Sequence, residues 1–164
     1  MPLFNSYNDL IAMTTRDVEN EYFSHWHESF DKSNYLYGLN LAKENIRRND
    51  KAIIVEGQFD VMCFHSFGLT MTVGVLGTAF SIIQSILLAR YCSEIYLIFD
   101  PDTAGQKTLE RAMDMYHQYC LPQYGIKFIP VVLPQDTDPD DYIINNGVKQ
   151  LLDLMKRSKD LTKE

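Results

Sequence analysis

Residues 94–113, EIYLIFDPDTAGQKTLERAM, decide the fold class, because they join an apolar run to a polar turn and then to an amphipathic helix. A short continuous apolar run such as EIYLIF predicts a strand that is buried on both faces of a parallel sheet. The helical pattern then continues to Cys120. A buried strand followed by a helix of this length is the repeating unit of an α/β fold.

The same alternation extends on both sides of this unit. Further strands are predicted at KAIIV (51–55), TMTVGVL (70–76) and IKFIPVVL (126–133). Helices are predicted at FDVMCFHSF (59–67), at SIIQSILLARYC (81–92) with Ser81 as its N-cap, and at DDYIINNGVKQLLDLMKRS (140–158), which is one helix or two, broken near Gly147. We therefore predict an α/β fold in which helices flank a mostly parallel sheet of four strands.

The first 50 residues form a predicted lead-in segment ahead of the main domain. Up to about Lys32 they lack a strong period, which predicts a loop-rich stretch with at most one short helix. YLYGLNLAKENIRR (35–48) then has apolar residues at helical spacing. We place the main domain at residues 51–147 and a C-terminal helix and tail at 148–164.

Composition limits the class of protein. The chain has 164 residues, the size of one domain, and 46% apolar residues, enough for a core. No apolar run approaches the roughly 20 residues that span a bilayer, and the start lacks a leader pattern, so we expect a cytoplasmic protein without a membrane partner. The three cysteines, Cys63, Cys92 and Cys120, form no CxxC pair, so no zinc site is predicted.

The net charge of −7 bears on any partner that carries phosphates. Binding nucleic acid through charge requires a patch of Lys and Arg. An acidic chain is therefore expected to bind it weakly unless metal ions or partner domains supply positive charge. Carboxylates clustered at a metal site would account for part of the excess.

Acidic residues follow three of the predicted strands. Glu56 comes directly after KAIIV, and Asp100 and Asp102 come directly after EIYLIF. The fourth strand is followed by four more, Asp136, Asp138, Asp140 and Asp141. In open α/β sheets ligands bind beyond the carboxyl ends of the strands. Because carboxylates repel one another, their convergence there predicts a bound cation, and hard oxygen ligands suit Mg²⁺ or Mn²⁺.

Each acidic residue also has a purely structural interpretation. Asp102 is suited to cap the helix that begins near Thr103, and Glu56 to cap the helix that begins near Phe59. DTDPDD (136–141) has the composition of a polar turn. These alternatives stay open at the level of sequence.

A second element suits phosphate. VGVLGTA (73–79) leads into a helix whose amides are suited to receive a phosphate, with Gly77 in the loop and Thr78 adding a hydroxyl. Lys107, on the helix after Asp102, is close enough to the acidic residues to contact a phosphate. The GxxxxGK[ST] pattern is absent, which argues against a Walker-type ATPase.

Taken in order, these motifs resemble the TOPRIM domain of DnaG-type primases. The matching stretches are FDKSNYLYGLNLAKENI (30–46), IIVEGQFDVM (53–62), VGVLGTAFS (73–81), IYLIFDPDTAGQKTLERAM (95–113) and VVLPQDTDPDDYI (131–143). The resemblance implies the TOPRIM fold, a Rossmann-like parallel sheet. It also implies metal-dependent nucleotidyl transfer that makes short RNA primers on single-stranded DNA during replication.

The resemblance further implies roles for individual residues. Glu56, Asp100 and Asp102 would be catalytic and would hold two or more Mg²⁺ or Mn²⁺ ions. The family's further acidic positions fall on Asp60, Asp138 and Asp140, and Lys32 matches a basic position near the nucleotide or template. Nucleoside triphosphates and single-stranded DNA are the implied ligands, and a zinc-binding module and a replicative helicase the implied partners.

The sequence also departs from the family pattern. Gln58 stands where an aromatic residue usually follows the EG pair, and Pro101 replaces the usual glycine between the two aspartates, which stiffens that turn. Two other functions remain alternatives to primer synthesis. One is a nuclease that uses the same carboxylates, and the other is a non-catalytic module that binds nucleic acid or a replication partner.

Overall fold

The computed structural model describes residues 1–16, 24–26, 29–77 and 79–162, of which residues 16 and 24–26 are described as backbone only. The strands in these ranges are β1 (Pro2–Phe4), β2 (Leu10–Arg16), β3 (Ser24–Trp26), β4 (Lys51–Val55), β5 (Thr72–Gly74), β6 (Glu94–Leu97) and β7 (Lys127–Pro130). The helices are α1 (Leu39–Asn49), α2 (Gln58–Ser66), α3 (Ile82–Ala89), α4 (Thr103–Gln118) and α5 (Pro139–Leu161). The predicted α/β architecture is confirmed.

The main sheet has the order β5-β4-β6-β7, and all of its strands are parallel. From β4 the chain crosses to β5 on one side, whereas β6 leads to β7 on the other. The direction of winding therefore reverses between β4 and β6. In sheets of this class, the crevice outside the strand ends at such a reversal is the usual ligand site.

Helices cover both faces of this sheet, because each strand points apolar side chains to both sides. On one face, α1, α3 and α4 contribute Ala42, Ile46, Leu88 and Ala112 to a buried cluster. On the other face, α2 and α5 pack through side chains such as Phe64. The strands lie between the two clusters, which explains the continuous apolar runs in their sequence.

The prediction for the first 32 residues was wrong in the ranges that the structure describes, 1–16, 24–26 and 29–32. Instead of loops and one short helix, β1, β2 and β3 form a small antiparallel sheet, and a 3₁₀ turn follows at Lys32–Asn34. Leu3 and Ala12 of this sheet pack against Leu76 of the loop after β5. The lead-in segment is thus attached to a loop at the carboxyl end of the main sheet.

A pair of backbone hydrogen bonds also connects the lead-in segment to the edge of the main sheet. The Tyr37 N–H donates to the Gly74 carbonyl at 2.9 Å, and the Gly74 N–H donates to the Tyr37 carbonyl at 3.1 Å. Gly74 belongs to the edge strand β5, and an alanine there would bring its Cβ to 3.1 Å from the Gly57 carbonyl oxygen.

Two predicted helix boundaries are confirmed. Ser81 is the N-cap of α3, and its side chain accepts a hydrogen bond from the Gln84 N–H. Within α5, Gly147 has φ +79° and ψ 165°, a conformation that interrupts the helix at the predicted break. No helix in the described ranges is long and apolar enough to cross a membrane.

Replacing Ser81 with alanine is expected to lower the free energy of unfolding by about 1–2 kcal/mol, because it removes a helix cap and a hydrogen bond to another segment. The Ser81 Oγ accepts from the Gln84 N–H at 3.1 Å and donates to the Ser33 carbonyl at 2.7 Å. Urea unfolding followed by circular dichroism measures the change.

Ser66→Ala is the matched control. Ser66 is exposed, and its hydroxyl bonds only within its own helix, to the Cys63 carbonyl. Its replacement is expected to change the free energy of unfolding by less than about 0.5 kcal/mol. Equal losses in the two variants would show that the link from Ser81 to Ser33 contributes nothing.

Candidate active site

The carboxylates predicted from sequence lie along the carboxyl edge of the main sheet. Glu56 directly follows β4, and Asp100 lies three residues beyond β6. The others are at helix starts: Asp102 is the N-cap of α4, Asp138 is the N-cap of α5, and Asp60 and Asp140 are in the first turns of α2 and α5. The connections that follow three of the parallel strands, β4, β6 and β7, thus deliver acidic groups toward one edge.

These carboxyl groups are close enough to perturb one another. The pKa of Asp100 is raised to about 7, first by burial and then by the neighbouring Glu56, Asp60, Asp138 and Asp102. Burial, followed by the charge of Asp102, also raises the pKa of Glu56. The edge of the sheet is therefore strongly electronegative when these groups are ionised.

Burial also raises the pKa values of the more peripheral acids. For Asp60, burial acts first, and the charges of Asp140 and Asp138 add to it, against a lowering hydrogen bond from Gly57. For Asp138, the pKa is raised by burial and then by Asp140. The mutual influence extends across the ends of β4, β6 and β7.

Helix capping, the structural alternative for these acidic residues, applies to some of them and not to others. Asp102 does cap α4, because its Oδ1 accepts the Gly105 N–H at 2.7 Å. Glu56 is not a cap, since Gly57 is the N-cap of α2. Asp60 accepts the Gly57 N–H at 2.8 Å through Oδ2. Helix capping therefore accounts for one carboxylate oxygen of Asp102 and one of Asp60. It does not account for the position of Glu56.

Glu56 provides the observation that tests whether a cation suits this edge. The backbone N–H of Asp100 stabilises its ionised form, but Oε1 is buried without a hydrogen-bond partner. A buried carboxylate oxygen without a donor is unfavourable unless a proton or a cation neutralises it. A hard cation such as Mg²⁺ or Mn²⁺ suits this unpartnered oxygen. In the described ranges, the side chains do not form a group of three or more His, Cys, Asp or Glu that is already arranged around a metal ion.

The predicted phosphate-binding residues that the structure describes lie on separate elements. Gly77 is exposed with φ +71° in the loop before α3, while Thr78 lies outside the described residues. Lys32 is on the 3₁₀ turn beside the start of α3, because the Gln84 Nε2 donates to the Lys32 carbonyl at 3.3 Å. Lys107 is exposed on α4, five residues beyond Asp102.

Gln84 is a positioning residue that the sequence prediction missed. It is fully buried, and its Nε2 donates to the carbonyls of Lys32 and Tyr35, the latter at 2.7 Å. Its Oε1 accepts the Ser81 N–H at 3.0 Å, which completes a capping box. The S-x-x-Q pattern at 81–84 is the signal that would have identified it.

A polar cavity of about 500 Å³ lies beside the carboxylates. Its walls include Asp102, Asp136 and Asp138 together with two amide side chains, Gln106 and Gln135. Asp136 adopts φ +58°, which turns the chain between β7 and α5. The cavity is large enough for a small polar ligand, and its acidic wall would repel an anion unless a cation were present.

Comparison with known proteins gives a consistent result. Residues 53–143 match the model of the Toprim-like family. The DNA primase of Aquifex aeolicus is 36% identical over 132 residues, which are 80% of this chain and 26% of that protein. The crystal structure of the Aquifex aeolicus primase, with its zinc binding and RNA polymerase domains, superposes with a TM-score of 0.84 at 30% identity, covering 96% of this chain and 39% of the other.

A further neighbour is the RNA polymerase domain of Mycobacterium tuberculosis primase DnaG in complex with double-stranded DNA. It gives a TM-score of 0.77 at 28% identity, covering 95% of this chain and 51% of the other. The chain thus spans about a quarter of the length of the Aquifex aeolicus primase and about half of this RNA polymerase domain.

Proposed function

The chain belongs to the Toprim-like family, and from that premise we propose that it is the catalytic TOPRIM portion of a DNA primase, which joins nucleotides into short RNA primers on single-stranded DNA. The named primases that it resembles support it, as does the chemistry of the carboxyl edge.

One observation carries the proposal: Glu56, Asp100 and Asp102 follow the two strands, β4 and β6, between which the winding of the sheet reverses. Residues 53–143, which match the family, include all three. Rigid strand ends suit a reaction in which the protein's main task is to hold reactants in fixed positions.

We assign Glu56, Asp100 and Asp102 to the binding of divalent ions, with Asp60, Asp138 and Asp140 around them. When bound, Mg²⁺ or Mn²⁺ would make a 3′-hydroxyl nucleophilic and stabilise the pyrophosphate that leaves. The residues themselves have separate tasks. Glu56 offers the unpartnered Oε1, and Asp102 fixes the start of α4 with Oδ1.

Positive charge for the triphosphate and template is assigned to Lys32 and Lys107, with the loop at Gly77 and Thr78 as an amide donor. Because the chain carries a net charge of −7, most of the positive charge that binds a DNA template must come from metal ions or partner domains. We propose a zinc-binding module as one partner, like that of the Aquifex aeolicus primase, and a replicative helicase as another.

The first test is a calorimetric titration with Mn²⁺. Saturable binding is expected for the wild-type chain and is expected to be lost in the Asp100→Ala, Asp102→Ala double variant. The matched control replaces the exposed Asp114 and Asp153 with alanine, which removes the same formal charge away from the sheet edge. Identical heats for all three proteins would overturn the metal assignment.

The second test is primer synthesis from nucleoside triphosphates on single-stranded DNA, with a primase zinc-binding module added in trans. Primers of a few nucleotides are expected with the wild type and the control variant, and none with the double variant. Metal-dependent cleavage of the DNA without synthesis would replace the primase proposal with a nuclease. Binding of DNA without either reaction would leave a binding module.

A further inference from the structure

Helix α3 lies on the surface of the domain, yet it exposes isoleucines rather than polar residues. Gln84 and Leu88 are on its buried side. At about 3.6 residues per turn, Ile83 and Ile86 fall on the opposite side, where they are 48% and 55% exposed. No charge is available to this helix, because residues 61–89 contain no Asp, Glu, Lys or Arg. A surface helix usually turns charged and polar residues outward, so α3 departs from the usual pattern.

An apolar groove of about 380 Å³ runs along the same side of α3. Its lining includes Ile82, Ile86 and Ala89 of the helix, and Tyr119, Tyr124 and Ile126 of the segment that connects α4 to β7. Tyr119 and Tyr124 are 49% and 76% exposed. We refer to Ile83, Ile86, Tyr119 and Tyr124 together as the α3 face. Exposed apolar side chains that adjoin one another, unlike single ones, mark an interaction surface.

The area of the α3 face suits a weak interface. Covering its four side chains in two molecules would remove at most roughly 900 Å² of apolar surface from water. Exposed polar residues at the rim, such as Arg90 and Gln123, extend the contact toward the roughly 1,200 Å² at the lower limit of specific interfaces. Two copies of this face are therefore large enough to associate reversibly.

The two ends of α3 carry opposite charges. Arg90 is the C-cap, is exposed, and forms no ion pair in the part of the chain that the structure describes. Asp31 is at the other end, because the Ser81 Oγ donates to the Ser33 carbonyl at 2.7 Å and the Ser33 Oγ donates to the Asp31 Oδ1 at 2.7 Å. Asp31 is exposed, whereas the adjacent Lys32 is half-buried.

We propose that α3 packs against α3 of a second copy of this chain, in antiparallel order about a two-fold axis. In a contact of this symmetry, the same surface of both protomers is used, and each pair of residues meets twice. Ile86 is near the middle of the helix, so it contacts Ile86 of the other protomer at the axis. Arg90 of each protomer lies opposite the Asp31 of the other.

A second copy fits the α3 face because the face is complementary to itself. It is apolar along its length, and reversing its direction places the basic end of one copy against the acidic end of the other. The dipoles of two antiparallel helices also attract each other. Since α3 begins at the carboxyl edge of the sheet, antiparallel packing turns the two carboxyl edges in opposite directions. Glu56, Asp100 and Asp102 of both protomers remain accessible.

Sedimentation equilibrium of the chain at concentrations from about 1 to 200 μM tests the association. We expect the average mass to rise with concentration from that of one chain toward that of two, with a Kd of about 10–100 μM, as suits an interface below the standard size. A chain that stays monomeric throughout this range would overturn the proposal and leave the α3 face to a different protein.

Ile86→Asp tests the position of the contact. It places two like charges together at the two-fold axis and is expected to weaken dimerisation at least about tenfold. The matched control is Ile144→Asp on α5, because Ile144 is 56% exposed and Ile86 is 55% exposed. Circular dichroism checks that both variants are folded. If the two variants dimerise equally well, the contact does not lie on α3.

Exchanging the two charges tests the antiparallel order. Arg90→Glu and Asp31→Lys are each expected to weaken dimerisation about three- to tenfold, whereas the double variant is expected to regain it. Within one chain the two residues are at opposite ends of α3, roughly 13 Å apart along the helix, so recovery must come from contact between copies. A double variant weaker than either single variant would refute the antiparallel order.

The outcome is separate from that of the proposed function. The Asp100→Ala, Asp102→Ala variant is expected to dimerise like the wild type, and Ile86→Asp is expected to bind Mn²⁺ like the wild type. Dimerisation without Mn²⁺ binding would retain the α3 contact and reject the metal assignment. Mn²⁺ binding by a monomer would reject the α3 contact alone.

Discussion

Replacing Gly105 with alanine is expected to lower the free energy of unfolding by about 3 kcal/mol or more, the upper end for overpacking in a rigid environment. A Cβ at this position would overlap the Asp100 carbonyl oxygen and lie 2.9 Å and 3.0 Å from the Asp100 carbonyl carbon and nitrogen. All three are backbone atoms, which cannot move aside as the end of a side chain can. Guanidinium unfolding of the two proteins measures the loss.

Gly105→Ala is also expected to weaken metal binding at the carboxyl edge of the sheet. Relieving the overlap requires the turn from β6 to α4 to open, and that turn carries both Asp100 and Asp102. The Gly105 N–H is also the donor to the Asp102 Oδ1. Mn²⁺ affinity measured by calorimetry at low temperature, where the variant remains folded, should therefore fall together with stability.

Gly68→Ala separates this overlap from the general cost of replacing a glycine. Gly68 has φ +86°, but a Cβ there would contact nothing within 4 Å. Only the backbone cost of a left-handed residue remains, about 1 kcal/mol. If Gly105→Ala were no more destabilising than Gly68→Ala, the close approach of α4 to Asp100 would be refuted.

Replacing Asp100 with asparagine is expected to stabilise the metal-free protein by about 1–2 kcal/mol at pH 8, contrary to the usual effect of changing a half-buried polar residue. The pKa of Asp100 is raised to about 7 by burial and by the neighbouring acids, from an ordinary value of 3.8. One pKa unit corresponds to about 1.4 kcal/mol, and solvent screening at this half-exposed group removes part of it. Asparagine cannot ionise, so the variant avoids the free-energy cost of a charged carboxylate at this position.

The pH dependence follows from the direction of this shift. Because the folded state binds the Asp100 proton more tightly than the unfolded state, the wild-type chain loses stability as the pH rises from about 4 to about 7. The advantage of the variant should be absent near pH 4 and complete above pH 7. Thermal unfolding at a series of pH values measures it.

Added Mn²⁺ should reverse the order of stability. A ligand that binds only the folded state stabilises it, so the wild type should gain in proportion to its metal affinity, and the variant much less. Asp114→Asn, an exposed change in α4, should follow the wild type throughout. A loss of stability in Asp100→Asn at pH 8 would instead assign this carboxylate a structural role.

Much of the main domain could be predicted from the sequence, because its signals are local. KAIIV is strand β4 at the predicted residues 51–55, and Ser81 and Gly147 mark helix boundaries as expected. Apolar runs bounded by caps and glycines depend little on distant residues. The strand order β5-β4-β6-β7 could not be predicted in this way, because it depends on how the crossover connections pack against the sheet.

The lead-in segment was not predictable for a physical reason. Strands β1 and β3 have three residues each, and such short strands gain their stability from partners distant in sequence rather than from propensity. Leu3 becomes a core residue only because Ala12 and Leu76 come to it in space.

The candidate site was partly predictable. The position of Glu56, Asp100 and Asp102 at strand ends follows from the alternation of strands and helices. The hydrogen bonds of Gln84 and the polar cavity lined by Gln106 could not be predicted. Both depend on where segments that are distant in sequence lie in space. The roles of these residues stay predictions that the Mn²⁺ titration tests.

The two hydrogen bonds between Tyr37 and Gly74 have a consequence for solubility. An edge strand with free N–H and C=O groups is a template on which another chain can add a strand and begin to aggregate. Tyr37 pairs with the N–H and C=O of Gly74 on β5, and at the opposite edge Pro130 of β7 has no N–H to donate. Local opening of residues 35–38 would uncover β5, so conditions or mutations that detach this short segment should cause precipitation before they unfold the domain.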